Sequence, residues 1–330
     1  MTHPPPSNTA ARLQFSLPAD ASEFAQQKDD AALWDEVIAR IAASHALTGT
    51  ATRLGGSCIV YAIGDAVIKL HEPWNRELFA TESEVLRALH DRLPVATPAL
   101  LHSGEMEGCA PGWHYLVMSR VPGEPLDTVW PQLSQDAKRR VLGQLGEITC
   151  ALHSLSVDDF SLHLHPDWNQ FILEQTTNCV QRQRILGLCD EWLQPLPAYL
   201  ETLLPTLQAS APRVLLHTEL MGGNVLLQQL KGEWHISALI DFEPSMVGRR
   251  EYDFAAVAAF LTRGDARLLR TFLHGYGLTT AEINGDLRMR IAGWMLLHRY
   301  ANVPWYFKMM PGSGAARNWS ELETCWAGLS

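Results

Sequence analysis

The sequence predicts an α+β protein, with a small, mainly antiparallel sheet domain ahead of a larger, mainly helical one. Short β-branched runs separated by glycine turns fill the chain before residue 122, and long apolar-periodic segments fill it afterwards. The two regimes meet at Pro122-Gly123. At 330 residues the chain has room for one large or two modest domains, each burying its own core.

The elements follow in order. The start, MTHPPPSNTAARLQF, has three consecutive prolines and no apolar centre. Residues 1–30 are therefore expected to form a flexible arm and not a signal peptide, which implies a cytoplasmic protein. Residues 31–46 read as an amphipathic helix. Residues 51–63 read as strand, Gly55-Gly56 turn, strand, and 66–70 (AVIKL) as a short strand after Gly64-Asp65. Leu78, Val85, Leu86 and Leu89 are spaced for a helix. Pro94 and Pro98 bracket a loop, and 99–102 and 114–119 read as two further strands. Beyond Pro122, residues 135–155 form a long periodic segment with Ser134 placed to cap it. Residues 168–189, 192–207, 252–262, 265–276 and 281–300 also read as helices. Short strands at 214–216, 225–228 and 236–240 interrupt them. The expected layout is an N-lobe over 31–118, a hinge at 119–123 and a helical C-lobe over 124–330.

Composition narrows the function. Hydrophobic residues make up 47% and charged residues 19%, as in a soluble globular enzyme. No apolar run approaches the ~18 residues needed to span a bilayer. The net charge is −10 and the basic residues form no stripe, which argues against a nucleic-acid partner. The acidic balance suits a cationic small molecule and equally suits a merely soluble surface. Cys58, Cys109, Cys150, Cys179, Cys189 and Cys325 include no C-x-x-C pair, so they are expected to be free and mostly buried thiols.

The chemistry concentrates in LLHTELMGGNVLLQ and the later SALIDFE. His217, Glu219 and Asn224 follow one apolar run, and Asp241 ends another. A carboxylate on a loop can orient an attacking hydroxyl, while an amide oxygen and a second carboxylate hold Mg²⁺ against a triphosphate. The five-residue step from Glu219 to Asn224, with a later Asp before Phe242, matches the spacing of phosphoryl-transfer loops. Two ordinary strands with polar ends would not supply the whole set. Lys69 is one of only five lysines and sits inside an apolar strand, where a charge needs a partner. Glu82, on the helix that follows, is the expected partner, and the pair is expected to hold nucleotide phosphates. A lysine reaching from an edge strand to water is the plainer alternative. Gly55, Gly56 and Ser57, ahead of Lys69, fit a loop folding over those phosphates.

With these residues assembled, the chain resembles the aminoglycoside phosphotransferase family, relatives of the protein kinases, from Ala51 to its end. The family signature is His-Gly-Asp or His-Thr-Asp, four residues and Asn, then Ile-Asp-Phe/Trp and a Gly-x-x-x-x-Asp-Phe/Leu-Ala tail. Here these read HTELMGGN, LIDFE and GRREYDFA. The resemblance implies a bilobal protein-kinase-like fold, ATP or GTP as co-substrate and Mg²⁺. It implies Lys69 and Glu82 at the phosphates and Asn224 and Asp241 at the metal, with His217 and Glu219 in the catalytic loop. YLVMSRVPGEPL looks like the hinge, with the backbone around Ser119 and Val121 meeting the base and Met118 lining its pocket. Asp253 looks like the family's structural aspartate. VIKLH, the YLVMSR segment and a tryptophan-rich second half look nearest to the hygromycin B phosphotransferases. One departure stands out: the family's catalytic Asp is Glu219 here, one methylene longer. An active kinase is the reading adopted, and a nucleotide-binding pseudokinase is the alternative.

The implied acceptor is a hydroxyl of a cationic aminocyclitol or sugar. Choline, homoserine or simple-sugar kinases would share every motif quoted. Glu243 is the first candidate for an amino-group ligand, followed by Asp167 and Glu174. Trp305, with Trp294, Tyr306 and Trp319, would supply either flat walls for sugar rings or core packing. A monomer or homodimer is expected.

Overall fold

The computed structural model describes residues 17–106, 112–208 and 211–329. The chain divides into two compact units. The first is the chain up to His90 with Pro98–Val121, and the second is Asp91–Thr97 with everything from Pro122 onward.

The first unit is a five-stranded antiparallel sheet of β1 (Ala51–Leu54), β2 (Ile59–Ile63), β3 (Ala66–His71), β4 (Leu100–Glu105) and β5 (His114–Ser119). The order is β1-β2-β3-β5-β4. Alternation along the strands divides its faces. Ile59, Tyr61 and Ile63 of β2, with Ala66, Ile68 and Leu70 of β3, pack under helix α2 (Ala31–Ser44) through Leu33, Trp34, Val37, Ile38 and Ile41. Lys69 and His71 therefore leave the opposite face of β3, where helix α3 (Arg76–Leu89) supplies Glu82.

The flexible arm expected over residues 1–30 is corrected where it is described; residues 1–16 lie outside the described residues. Ala21–Gln27 is a helix, α1, with the Asp20 side chain accepting from the backbone N–H groups of Ser22 and Glu23. It is held by aromatic packing. Phe24 meets Trp34 and Trp113 at ring-centroid distances of 6.1 and 6.2 Å, and Trp113 Nε1 donates to Pro18 O at 3.1 Å.

The second unit is mainly helical. It contains α4 (Leu126–Val129), α5 (Gln135–His153), α6 (Trp168–Ile185), α7 (Asp190–Leu193) and α8 (Leu196–Gln208). After the strands come α9 (Glu251–Ala256), α10 (Ala266–Gly275), α11 (Gly285–Leu297), α12 (Val303–Met309) and α13 (Trp319–Ala327). Strands β6 (Glu124–Pro125), β8 (Val225–Leu230) and β9 (Glu233–Leu239) form one small sheet; β7 (Val214–Leu216) and β10 (Met246–Gly248) form another. Lys231 and Gly232 link β8 to β9 with φ of 53° and 84°, the paired positive values of a tight hairpin turn. The segment Asp91–Thr97, expected within the first domain, belongs to this second unit. Ala96 N–H donates to Ser237 O at 3.0 Å, and Leu239 N–H donates to Ala96 O at 3.1 Å.

The helix expected over 252–262 changes character at Val257–Thr262, which winds as a π-helix. Of the cysteines, Cys179 alone is buried among the described residues. Cys189 is exposed, and Cys58, Cys150 and Cys325 are half-buried, so the expectation of mostly buried thiols is corrected. Cys109 lies outside the described residues. Among the described residues no helix is long and apolar enough to cross a membrane.

Candidate active site

In the first unit, Lys69 Nζ lies 2.9 Å from Glu82 Oε2, and both side chains are buried. His71 Nε2 approaches the same oxygen at 3.4 Å. Burial pushes the Glu82 carboxyl up, but the Lys69 ammonium and the His71 imidazole outweigh it and hold the group well below the usual carboxylate range. The expected buried pair is therefore formed.

Gly55, Gly56 and Ser57 make the turn between β1 and β2. A Cβ added at Gly55 or Gly56 would meet nothing within 4 Å, and Gly56 has φ of +135°, which glycine alone adopts without strain. Met118 is buried on β5. Beyond it, Ser119 N–H donates to Ala99 O at 2.8 Å and Arg120 N–H donates to Asp65 O at 2.7 Å. Those bonds engage two of the amides in the expected hinge, and Val121 comes next.

In the second unit, β7 leads into His217 and β9 into Asp241, and the loop between β7 and β8 carries Glu219 and Asn224. The loop is fastened from its buried side. Asp253, at the start of α9 and fully enclosed, accepts from His217 N–H (2.9 Å), Thr218 N–H (2.7 Å) and His153 Nε2 (3.0 Å). Thr218 has φ of 70°, an outlier for a β-branched residue. It persists because three further bonds determine it: its N–H to Asp253, its hydroxyl to Pro244 O (3.1 Å) and its carbonyl from His298 Nε2 (2.9 Å). Asp241 has the same φ of 70°.

His217 is fully buried. Its Nε2 donates to Ile240 O at 3.0 Å, and its Nδ1 accepts from Glu219 N–H at 3.3 Å. Both ring nitrogens are thus bound to backbone, and the tautomer follows from those partners. Burial lowers the imidazole pKa, so the ring is neutral.

Asn224 Nδ2 donates to Glu219 O at 3.1 Å, so its amide nitrogen is committed to the loop backbone. Ile240 N–H donates to Asn224 O at 3.0 Å, so the residue preceding Asp241 is tied to Asn224.

Glu219 is half-buried, and its carboxyl is pushed up to about 7. Burial is the largest cause, with the negative charges of Asp241 and Glu243 adding to it. A hydrogen bond from Tyr300 and the charge of Arg299 oppose the rise. The Tyr300 phenol is raised in turn, first by burial and then by Glu219. Tyr300 and Arg299 were not legible as site residues. They follow α11, and His298 ties this segment back to the loop: Tyr300 N–H donates to His298 Nδ1 (3.2 Å), whose other nitrogen holds Thr218 O. The one signal was a polar His-Arg-Tyr cluster ending an apolar helix.

The proposed acceptor ligands separate. Glu243 shares the electrostatic surroundings of Glu219. Trp305 is half-buried; its ring lies 6.1 Å from Phe260, which in turn meets His298 at 5.7 Å. Asp167 instead caps α6, its carboxylate accepting from Asn169 N–H and Gln170 N–H. Glu174 is an exposed carboxylate bonded by Gln170 Nε2 at 2.9 Å. Both have ordinary helical duties. Trp294, Tyr306 and Trp319 are buried in the core.

The model of the phosphotransferase enzyme family matches residues 58–291. No curated protein sequence matches the chain. Solved structures share the fold. One is the GDP complex of wild-type aminoglycoside 2'-phosphotransferase-IIIa, with a TM-score of 0.66 at 16% identity, covering 79% of this chain and 89% of that one. Another is a thermostable mutant of aminoglycoside phosphotransferase APH(4)-Ia in ternary complex with AMP-PNP and hygromycin B, with a TM-score of 0.54 at 17% identity, covering 86% and 94%. A third is macrolide 2'-phosphotransferase MphH from Brachybacterium faecium, with a TM-score of 0.52 at 16% identity, covering 89% and 98%.

Proposed function

This chain belongs to the phosphotransferase enzyme family, and we propose that it moves the γ-phosphoryl group of ATP or GTP to a hydroxyl of a cationic, aminoglycoside-like small molecule. The observation that carries this reading is the braced loop. Glu219, Asn224 and Asp241 emerge from two tied strand ends, with the backbone behind them locked by Asp253.

In the proposed roles, Glu219 orients the acceptor hydroxyl and takes its proton as the new P–O bond forms. A carboxyl raised to about 7 suits that task, because a base works best when its pKa lies near the operating pH. Tyr300 hydrogen-bonds the longer side chain from the other end, and the charge of Arg299 acts on it. His217 becomes a positioning residue, since both its nitrogens are engaged by backbone. Asn224 and Asp241 offer the oxygen donors that Mg²⁺ favours, and the Asn224 nitrogen is bonded to the loop backbone, which leaves the oxygen for the cation. When bound, the cation would neutralise charge on the transferring phosphates. Lys69, with Glu82, holds the α- and β-phosphates; Gly55, Gly56 and Ser57 cover them; Met118, Ser119 and Val121 receive the base. Glu243 and Trp305 face the acceptor. Their surroundings, and structural neighbours solved with kanamycin or with hygromycin B bound, support a polycationic sugar with hygromycin B among the candidates.

The test is turnover by the purified chain with ATP and with GTP, in Mg²⁺, against aminoglycosides including hygromycin B, a macrolide, choline, homoserine and simple sugars. Phosphorylation of an aminoglycoside is expected. Turnover confined to choline, homoserine or a sugar would replace the acceptor class. Nucleotide binding without turnover on any acceptor would make the chain a pseudokinase.

A further inference from the structure

We propose that His71 is a positioning residue of the nucleotide site, holding the Glu82 carboxylate on which the Lys69 ammonium is aimed. The proposal rests on the reading of Lys69 and Glu82 as the phosphate-holding pair.

The strand sets the arrangement. Lys69 and His71 are two residues apart on β3, so their side chains leave the same face of the sheet. Both converge on one atom, with Lys69 Nζ at 2.9 Å and His71 Nε2 at 3.4 Å from Glu82 Oε2. The helix closes on them from above. Phe79 and Glu82 are three residues apart on α3, so they project from the same side. The His71 ring meets Phe79 edge-on, with centroids 5.7 Å apart and planes at 66°. Phe79 also packs on His114, at 4.5 Å, and His114 is the residue opposite His71 in the β3–β5 ladder. Helix α3 thus grips β3 at two points one turn apart, and His71 touches both.

The chemistry gives the second donor a purpose. Glu82 and His71 are each only 1% exposed, so water does not solvate the carboxylate. A nucleotide phosphate draws the Lys69 ammonium partly away from Glu82. A buried carboxylate that loses part of its partner must find another donor, change its protonation or move. His71 Nε2, 3.4 Å from the same oxygen, is near enough to keep the carboxylate in place while the ammonium is shared with the ligand. An aliphatic residue at position 71 would still pack on Phe79 but would offer Oε2 nothing.

The experiment measures nucleotide binding directly, independent of any acceptor, by titrating the full-length chain with fluorescent ATP and GTP analogues. Thermal melting checks the fold of each variant. His71→Met is expected to raise Kd about tenfold. His71→Gln places an amide nitrogen near the position of Nε2, and is expected to recover most of that loss. In a Lys69→Met background, His71→Met is expected to add less than about twofold, because the two act through one carboxylate. Wild-type affinity in His71→Met, or losses that multiply in the double variant, would overturn the positioning role and leave the nucleotide site standing. If His71→Met does not fold, equal weakening by His71→Gln and Lys69→Met would overturn it. A wild-type chain that binds neither analogue would overturn this role and the nucleotide-site reading together.

Discussion

Glu219 and His298 show how single side chains set the behaviour of the catalytic loop. Replacing the Glu219 carboxylate by an amide removes the proposed base and leaves the side chain's length unchanged. Glu219→Gln is expected to lower kcat by about 100-fold or more, with nucleotide Kd held within about twofold; a larger effect on Kd than on kcat would take Glu219 out of the base role. Glu219→Asp is expected to be slower as well, by about tenfold or more, because Tyr300 hydrogen-bonds the longer side chain. A faster Asp variant would mean the loop is not built around glutamate. His298 contributes to the pH dependence of stability. Burial lowers its pKa from 6.5 to about 4, so below neutral pH the unfolded chain takes up this proton before the folded one. The stabilisation is fully present above pH 6.5 and is lost as pH falls through about 4, on the order of 3 kcal/mol in all. His298→Gln is expected to flatten the urea midpoint across that window, while an unchanged slope would assign the acid sensitivity elsewhere. Lys69 and Asp241 were legible because each interrupts an apolar run, Glu82 because a buried lysine needs a partner on the next helix, and Asn224 from its five-residue step after Glu219. His298 and Tyr300 were not, because they reach Thr218 and Glu219 from about 80 residues away through bonds to a backbone carbonyl and a carboxylate.

Among the elements, the pairing of α5 with α10 depends on having no side chain at the crossing. A Cβ on Gly146 would lie under 3.0 Å from Phe272 O, and one on Gly275 would lie under 3.0 Å from Gly143 O. Alanine in place of a helical glycine is worth about 1 kcal/mol to an isolated helix. Overpacking against a neighbouring backbone costs about 1–3 kcal/mol or more. The clash wins, so Gly275→Ala is expected to destabilise the second unit by about 2 kcal/mol in urea titrations, and a stabilised variant would refute the close approach. The same scale explains what the sequence disclosed. The strand 114–119 coincides with β5, and the 135–155 periodicity covers α5, because both bury a regular stripe. Helix α1 escaped, since its seven residues carry too little pattern and it is held by Phe24 against Trp34 and Trp113, a tertiary effect. The π-helical turn at Val257–Thr262 escaped because one added residue per turn leaves no mark on composition.

Over the whole molecule, charge is the property that reaches farthest. The chain carries −10 at neutral pH. An acidic surface speeds the arrival of a polycation, and salt screens that attraction as the Debye length shortens from about 30 Å at 0.01 M to about 8 Å at 0.15 M. For a cationic acceptor kcat/KM is expected to fall about threefold or more across that range, with little change for a neutral acceptor such as a simple sugar. Equal salt sensitivity for both would detach the acidic surface from acceptor capture. The brace of Asp253, His298 and Ile240 has a further consequence. All of it consists of buried hydrogen bonds to the backbone of the loop and of Ile240. Glu243 and Trp305, the proposed acceptor ligands, make none of those bonds, so exchanging them is expected to leave the loop backbone in place. On the proposed function, acceptor specificity would then change through a few substitutions while the backbone that carries Glu219 and Asn224 stays fixed.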